Sequence, residues 1–414
     1  MENIQNLWEY FKGYQHVADF QRFCGVEIQE VEQLEEQEPV HNVNGTNGDT
    51  NYEVSKRKPN SQKNGTNGFK NGVHNPNAHE KKLAYRIKNM PFYLLMRFGA
   101  GMGGEPFYMI FFPFMAWNVD GRLCRQLLLV WYPLMYVGQL LKDIIKWPRP
   151  GPPAVRLEGK RYEQEYGMPS THTIVGTCVP LSLLILTSRY YEYSFLMGLL
   201  CAIIWTGLVV CSRVYLGMHT VLDCIAGLTI TLVALPWMLH FVEYVDYYQV
   251  TSPYAPFSSL LIPILICVYY PKPKEWSITR GDTSNIVSIA SLFMVVYWIF
   301  YQIGWLIETP RPTQLQPLPD ITSEWLYHSA LRTVFGIVGL VLSRIVSKKI
   351  FLKFVCYCAG VDTKDIARQR KLGLEVPLRW LTVGGLAVST SLTVPLCFHY
   401  FGINRANFYR ELMM

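Results

Sequence analysis

From about residue 92 onward, long apolar runs alternate with short polar loops. Nine of these runs approach the ~20 residues that a membrane-spanning helix needs: about 92–118, 124–145, 171–187, 195–211, 220–243, 255–270, 286–307, 326–346 and 381–401. No run keeps a sustained period of two, and no internal repeat is evident. In lipid, only helices and closed barrels satisfy every backbone polar group. The pattern therefore predicts an all-α fold, a polytopic membrane helix bundle of about eight or nine transmembrane helices. The count turns on the first run. It holds Arg97, Glu105 and the glycines Gly99, Gly101, Gly103 and Gly104, which predict a broken or partly interfacial segment.

The first 90 residues follow other rules. Residues 5–24 place Leu7, Phe11, Val17, Phe20 and Phe23 at roughly helical spacing, which predicts a short amphipathic helix lying on the bilayer or on the membrane domain. Residues 27–38 are acidic. Residues 41–79 are rich in Asn, Gly, Lys and Ser and repeat the run NGTNG; they hold too little apolar surface to offset chain entropy and are expected to be disordered. Asn44 and Asn64 stand in N-x-T sequons, which matter only if this tail faces a lumen. Residues 2–15 lack the apolar core of a secretory signal peptide.

Composition sharpens the picture. Of 414 residues, 50% are hydrophobic and only 17% charged, against roughly a quarter in soluble domains. That excludes a plain soluble domain and a mainly disordered chain. The net charge of +7 comes from short basic runs between apolar spans rather than from one stripe, so no nucleic-acid partner is expected. The ten cysteines form no CxxC pair, so free thiols packed as small hydrophobes are expected rather than zinc or a redox couple.

Three polar clusters interrupt the apolar background. LKDIIKWPRPGPP closes the second run and carries Lys142 and, after six intervening residues, Arg149-Pro150. GMPSTHT opens the third run with Pro169, Ser170, Thr171 and His172. CSRVYLGMHTVLDC turns from the fourth run into the fifth with Ser212, Arg213, His219 and Asp223. Lys142 ends one crossing and His172 begins the next; two further crossings return Arg213 to the same face, where His219 and Asp223 follow one helical turn apart. Two arginines and a lysine suit the oxygens of one phosphate. Ser170 suits an N-cap, beside free backbone N–H groups. A histidine can attack phosphorus or shuttle a proton near neutral pH. Asp223 can accept the proton of one ring nitrogen of His219, and His172 can protonate a leaving oxygen. No acidic cluster beside these residues suits magnesium, so no metal or other cofactor is expected and the cations must neutralise the charge.

Lys142-x6-Arg149-Pro150, Pro169-Ser170-x-His172 and Ser212-Arg213-x5-His219-x3-Asp223 resemble the three-part signature of the type 2 phosphatidic acid phosphatase (PAP2) superfamily at every position. The runs VADFQRFCGVE, KDIIKWPRP, EYGMPSTHT, SRVYLGMHTVLD, YAPF and TRGDTSNI are similar to the sphingosine 1-phosphate phosphatase family, a likeness that covers most of the chain outside 41–79. The resemblance implies a PAP2-like catalytic membrane core over 91–245, preceded by a tail over 1–90 and followed by additional transmembrane helices over 246–414. It implies metal-independent hydrolysis of sphingoid base 1-phosphates, with His219 as the nucleophile that becomes a phosphohistidine, Asp223 orienting it and His172 protonating the leaving alcohol. Lys142, Arg149, Ser170, Thr171 and Arg213 would hold the phosphoryl oxygens. It also implies a multi-pass protein of the endoplasmic reticulum membrane, whose partners are the bilayer and a lipid substrate.

Two rival readings share these motifs: a broader lipid phosphate, polyprenyl pyrophosphate or glucose 6-phosphate phosphatase, and a non-catalytic lipid-phosphate binder or transporter. Orientation pulls two ways. With nine spans, the motif face shares its side with the tail and with the basic loop of 347–378, which the positive-inside rule places in the cytosol. The superfamily's site usually faces away from the cytosol.

Overall fold

The computed structural model describes residues 13–29, 84–158, 165–271, 278–310, 314–318, 320–405, 408 and 412–413. The expectations for residues 1–12 and 30–83, including the disordered run and the sequons of Asn44 and Asn64, lie outside them.

Among the described residues, seven helices are long and apolar enough to cross a membrane. Four form the centre, α4 (Gly121–Ile145), α5 (Thr171–Ser188), α7 (Val221–Thr251) and α9 (Ile278–Gln302), with α6 (Phe195–Tyr215) beside them. The others are α10 (Ser323–Ala359) and a final rod of α11 (Leu372–Val388), a π turn and α12 (Val394–Tyr400). The fold is a helical membrane bundle. Leu127, Leu128 and Trp131 of α4 pack with Ile174 and Val179 of α5, Leu235 and Leu239 of α7, and Phe293 and Tyr297 of α9. α6 and α10 lie outside this core and leave Leu196, Ile203, Ile204, Val338 and Leu342 exposed. Apolar exposure of that extent suits lipid as the solvent.

The remaining two apolar runs are built differently. The first breaks at Gly103–Gly104 into α2 (Met90–Met102) and α3 (Glu105–Phe114), which continues through a π turn to Val119. α2 stays near one end of the bundle: Phe92 packs edge-on against Tyr215, and Gly103 lies beside His172. α3 then descends to the far end, where Arg122 lies over Tyr190. The run at 255–270 becomes a short apolar helix, Phe257–Val268, whose last seven residues are α8 (Ile262–Val268). It returns Tyr270 to the near end, where its hydroxyl donates to Asp143 Oδ2 at 2.9 Å.

Helix starts and ends differ from the hydropathy limits for a physical reason. The polar run ITRGDTSNI forms the first turns of α9, because the helix's own carbonyls and a neighbouring helix absorb its polar groups. Thr283 and Ser284 bond back to the carbonyls of Thr279 and Arg280, and Arg280 pairs with Glu375 of α11. At the far end, Arg125 of α4 grips Asp246 of α7 with two hydrogen bonds, 2.7 and 3.1 Å, tying the central helices together.

The amphipathic segment is helical over α1 (Tyr14–Phe23) and packs on the membrane domain, with Val17, Ala18 and Gln21 buried. A short antiparallel pair, β1 (Val26–Gln29) with β2 (Ala84–Ile87), joins it to α2. Among the cysteines, Cys124, Cys178, Cys224, Cys267 and Cys356 are buried, whereas Cys201, Cys211, Cys358 and Cys397 are exposed.

Candidate active site

The up-and-down order of α4 to α7 brings four chain segments to the near end. Lys142 stands in the last turn of α4. Ser170 caps α5, its Oγ accepting from Thr173 N at 3.4 Å. Arg213 stands in the last turn of α6. Thr220 and Asp223 form a capping box that starts α7, with Thr220 Oγ1 accepting from Asp223 N at 3.2 Å and Asp223 Oδ2 accepting from Thr220 N at 2.8 Å. The starts of α5 and α7 are locked together. Ser170 N donates to Asp223 O at 3.0 Å, and a Cβ on Gly227 would come within 2.8 Å of the Ser170 carbonyl oxygen. The turn between α6 and α7 needs Gly217, whose φ of +65° lies in the left-handed region.

Lys142, Arg149, Ser170, Arg213, His219 and Asp223 are all buried. Lys142 Nζ donates to Thr171 Oγ1 at 3.1 Å. Arg149 donates from Nε to Glu165 O at 3.0 Å and from Nη1 to Met218 O at 2.9 Å, and Nη1 lies 3.3 Å from His219 Nε2. His219 Nδ1 lies 3.7 Å from Asp223 Oδ2, beyond a hydrogen bond, and neither Nδ1 nor Asp223 Oδ1 has a hydrogen-bond partner among the described residues. His172 is near enough to His219 that two charged rings would repel. Burial, then the Arg149 and Arg213 guanidiniums, hold the His219 imidazole well below its usual 6.5. Burial also pushes Arg149 down to about 10, where it still carries its charge at neutral pH.

Sequence reasoning missed three residues here. It found no acidic cluster, yet the loop after α4 brings two glutamates onto the cations. Glu165 Oε2 sits 3.0 Å from Lys142 Nζ and 3.3 Å from Arg149 Nη2, and Glu158 Oε2 sits 2.9 Å from Arg213 Nη1. Nothing in their spacing marks them, since the loop holds several glutamates. Among the described residues, no three His, Cys, Asp or Glu side chains are grouped to hold a metal ion. The third missed residue is Gln21 of α1. Its side chain donates to Val155 O at 2.6 Å and Tyr215 O at 2.8 Å and accepts from Val155 N at 3.0 Å, fastening the Arg149 loop to the end of α6. A polar residue on the buried face of an amphipathic helix was the available signal.

Glu165 bridges two cations as one oxygen of a phosphate would, so a phosphate bound there would have to compete with it. Glu165→Gln is expected to tighten inorganic phosphate as a competitive inhibitor several-fold and to lower the melting temperature, because two buried cations lose their counter-charge. Weaker phosphate inhibition in that variant would show that Glu165 holds the cations in place instead.

The arrangement can receive a phosphoryl group among three cations, with an imidazole nitrogen at their edge. The description "PAP2 superfamily" matches residues 125–247, the segment from α4 to α7 that builds the site. A mouse protein named sphingosine-1-phosphate phosphatase 2 is 37% identical over 322 residues, covering 77% of this chain and 90% of its own. A rat protein named sphingosine-1-phosphate phosphatase 1 is 32% identical over 416 residues, covering 94% and 96%. A plant relative from Arabidopsis thaliana, lipid phosphate phosphatase delta, is 32% identical over 205 residues, covering 47% and 49%. No solved structure matches the chain. The shared core and the near full-length likeness lead to one conclusion: the chain belongs to the sphingosine-1-phosphate phosphatase family of the PAP2 superfamily.

Proposed function

We propose that this protein hydrolyses sphingoid base 1-phosphates, such as sphingosine 1-phosphate and its dihydro and phyto forms, to the free base and inorganic phosphate. The observation that carries the reading is the 3.3 Å contact between Arg149 Nη1 and His219 Nε2. A guanidinium only donates, so Nε2 faces it with a lone pair and the ring proton rides on Nδ1, toward Asp223. Nε2 is thereby a nucleophile at the edge of the cation cluster.

In this reading the phosphate displaces the glutamates and spreads its oxygens over Lys142, Arg149 and Arg213, with Ser170 and Thr171 at the start of α5. Nε2 attacks phosphorus; the P–N bond forms as the P–O ester bond breaks, and His172 gives its proton to the leaving alkoxide. Water, deprotonated by His172, then attacks the phosphohistidine, and the P–N bond breaks to release phosphate. The buried cations hold the charge that builds on the phosphoryl oxygens. Asp223, whose Oδ2 lies 3.7 Å from Nδ1, offsets the charge that builds on the ring.

The test is labelled-phosphate release by purified protein in detergent micelles from sphingosine 1-phosphate, ceramide 1-phosphate, phosphatidate and a polyprenyl pyrophosphate. Fastest release from the sphingoid base phosphate is expected, undiminished by excess chelator and blocked by vanadate. Equal rates on phosphatidate would assign a broader lipid phosphatase.

We place the protein in the endoplasmic reticulum with its site facing the lumen, as the resemblance implies. This runs against the positive-inside rule, since Lys348, Lys349 and Lys353 stand toward the site end of α10. An N-x-T sequon engineered beside Arg156 should then be glycosylated in microsomes; an unmodified sequon would put the site in the cytosol.

A further inference from the structure

A cavity of about 300 Å³ leads from the active site into the bundle between α3, α4, α9, α10 and α11. Glu165, Thr171 and His172 line its head. Its body is apolar, walled by residues such as Leu128, Trp131, Phe293, Leu340 and Leu386. Between head and body stand Gln139, one turn before Lys142, and Asn285; the side-chain oxygen of each is buried with no hydrogen-bond partner among the described residues. Along α4 the walls run from Gln139 to Leu128, about 17 Å at 1.5 Å per residue. Protein interiors are close-packed, so a cavity this large and continuous with catalytic groups is a ligand seat by default.

We propose that this cavity seats the single aliphatic chain of the substrate while the headgroup lies on the cations. The proposal rests on the reading of the site as a lipid phosphatase. One water-sized group needs roughly 10–15 Å³ of such cavity space, so the cavity holds on the order of twenty methylenes, enough for one long chain and too few for two. The neck at Gln139 and Asn285 offers acceptors to the ammonium and hydroxyl donors that a sphingoid base carries beside its phosphate.

The chain has a route from the bilayer. Met109 and Ile110 of α3 and Val341 of α10 line the cavity, yet are 44%, 49% and 53% exposed, so the cavity opens sideways through the seam between these helices. Lipid is as apolar as the cavity, so moving the chain inward gains little free energy. Its effect is discrimination: a tail that fits lets the phosphate reach His219, and a tail that does not fit holds it back.

The experiment compares kcat/KM in detergent micelles for a sphingoid base phosphate of full chain length and one cut to about ten carbons. Ala387 lines the cavity and is buried, so Ala387→Phe shortens the available space. The full-length substrate is expected to lose at least roughly tenfold while the short one stays within about twofold, which also certifies the fold. Leu340→Ala enlarges the cavity and is expected to raise turnover of a pyrene-tailed analogue several-fold. If Ala387→Phe loses the short substrate too, it has misfolded and Leu340→Ala decides alone. An unmoved length preference in a folded Ala387→Phe, or an unmoved pyrene rate in Leu340→Ala, would leave the chain in the bilayer and overturn the proposal. A wild-type protein that releases phosphate from neither lipid would instead overturn the phosphatase reading.

Discussion

His219→Gln is expected to lose phosphate release by at least roughly 10³-fold, because the proposed mechanism makes its imidazole the group that forms the bond to phosphorus. Glutamine retains much of the volume and can still accept from Arg149, so the packing around a buried position survives and the melting temperature should stay close to wild type. Acid-quenched wild-type protein should carry an acid-labile phosphoryl group that the variant lacks. Turnover at the wild-type rate by this variant would remove His219 from the chemistry.

The same residue fixes the acid side of the pH profile. Burial first, then Arg149 and Arg213, disfavour the imidazolium of His219. Its folded value therefore lies below 6.5, and the neutral, nucleophilic ring persists as the pH falls through that value. kcat/KM reports the free enzyme. To it His219 should contribute no acid limb between about pH 8 and about 6.5, and the second ionisation of a phosphate monoester, near ~6, also lies below that window; the proton that His172 must give would show separately, as a fall toward alkaline pH. An acid limb centred at or above 6.5 would contradict the buried, cation-flanked imidazole.

Arg149→Lys is expected to cost roughly 10²-fold or more in kcat, with a smaller change in KM. The guanidinium serves Glu165, Met218 and His219 from three nitrogens pointing in different directions. A lysine carries the same charge at one point and cannot span those directions, so it would bind the phosphate yet leave Nε2 unaligned. Arg156 is the control: it donates to Pro150 O at 3.1 and 2.9 Å, and Arg156→Lys should alter turnover little. Equal losses in the two variants would mean that loop stability, not the phosphate seat, sets the rate.

The wild-type contacts also explain what was legible beforehand. Lys142, His172, Arg213 and Asp223 could be brought to one end by counting crossings, since each stands at a helix terminus and antiparallel helices fix which end that is. Arg149 was legible only through its motif, because a loop has no periodicity to place it. Glu158 and Glu165 were not legible at all. Their positions depend on how the loop folds over three buried cations, and charge neutralisation inside the folded site chooses among several similar glutamates. Nor did spacing show that Asp223 Oδ2 serves two ends at once, closing the capping box of α7 at 2.8 Å from the Thr220 N–H and facing His219 Nδ1 at 3.7 Å.

By itself, the sequence determined the solvent of this protein and the end of the bundle where chemistry gathers. Twenty apolar residues can only be helix in lipid, and alternation of direction is arithmetic. The glycines of the first run already announced its break; the tertiary structure alone decided where that break sits, beside His172, together with the polar start of α9, the hold of Gln21 on the Arg149 loop, and the cavity beneath His172. Each depends on which distant surfaces meet: a polar turn is cheap in a membrane only when a partner such as Glu375 receives it, and a cavity exists only where five helices decline to fill the space between them.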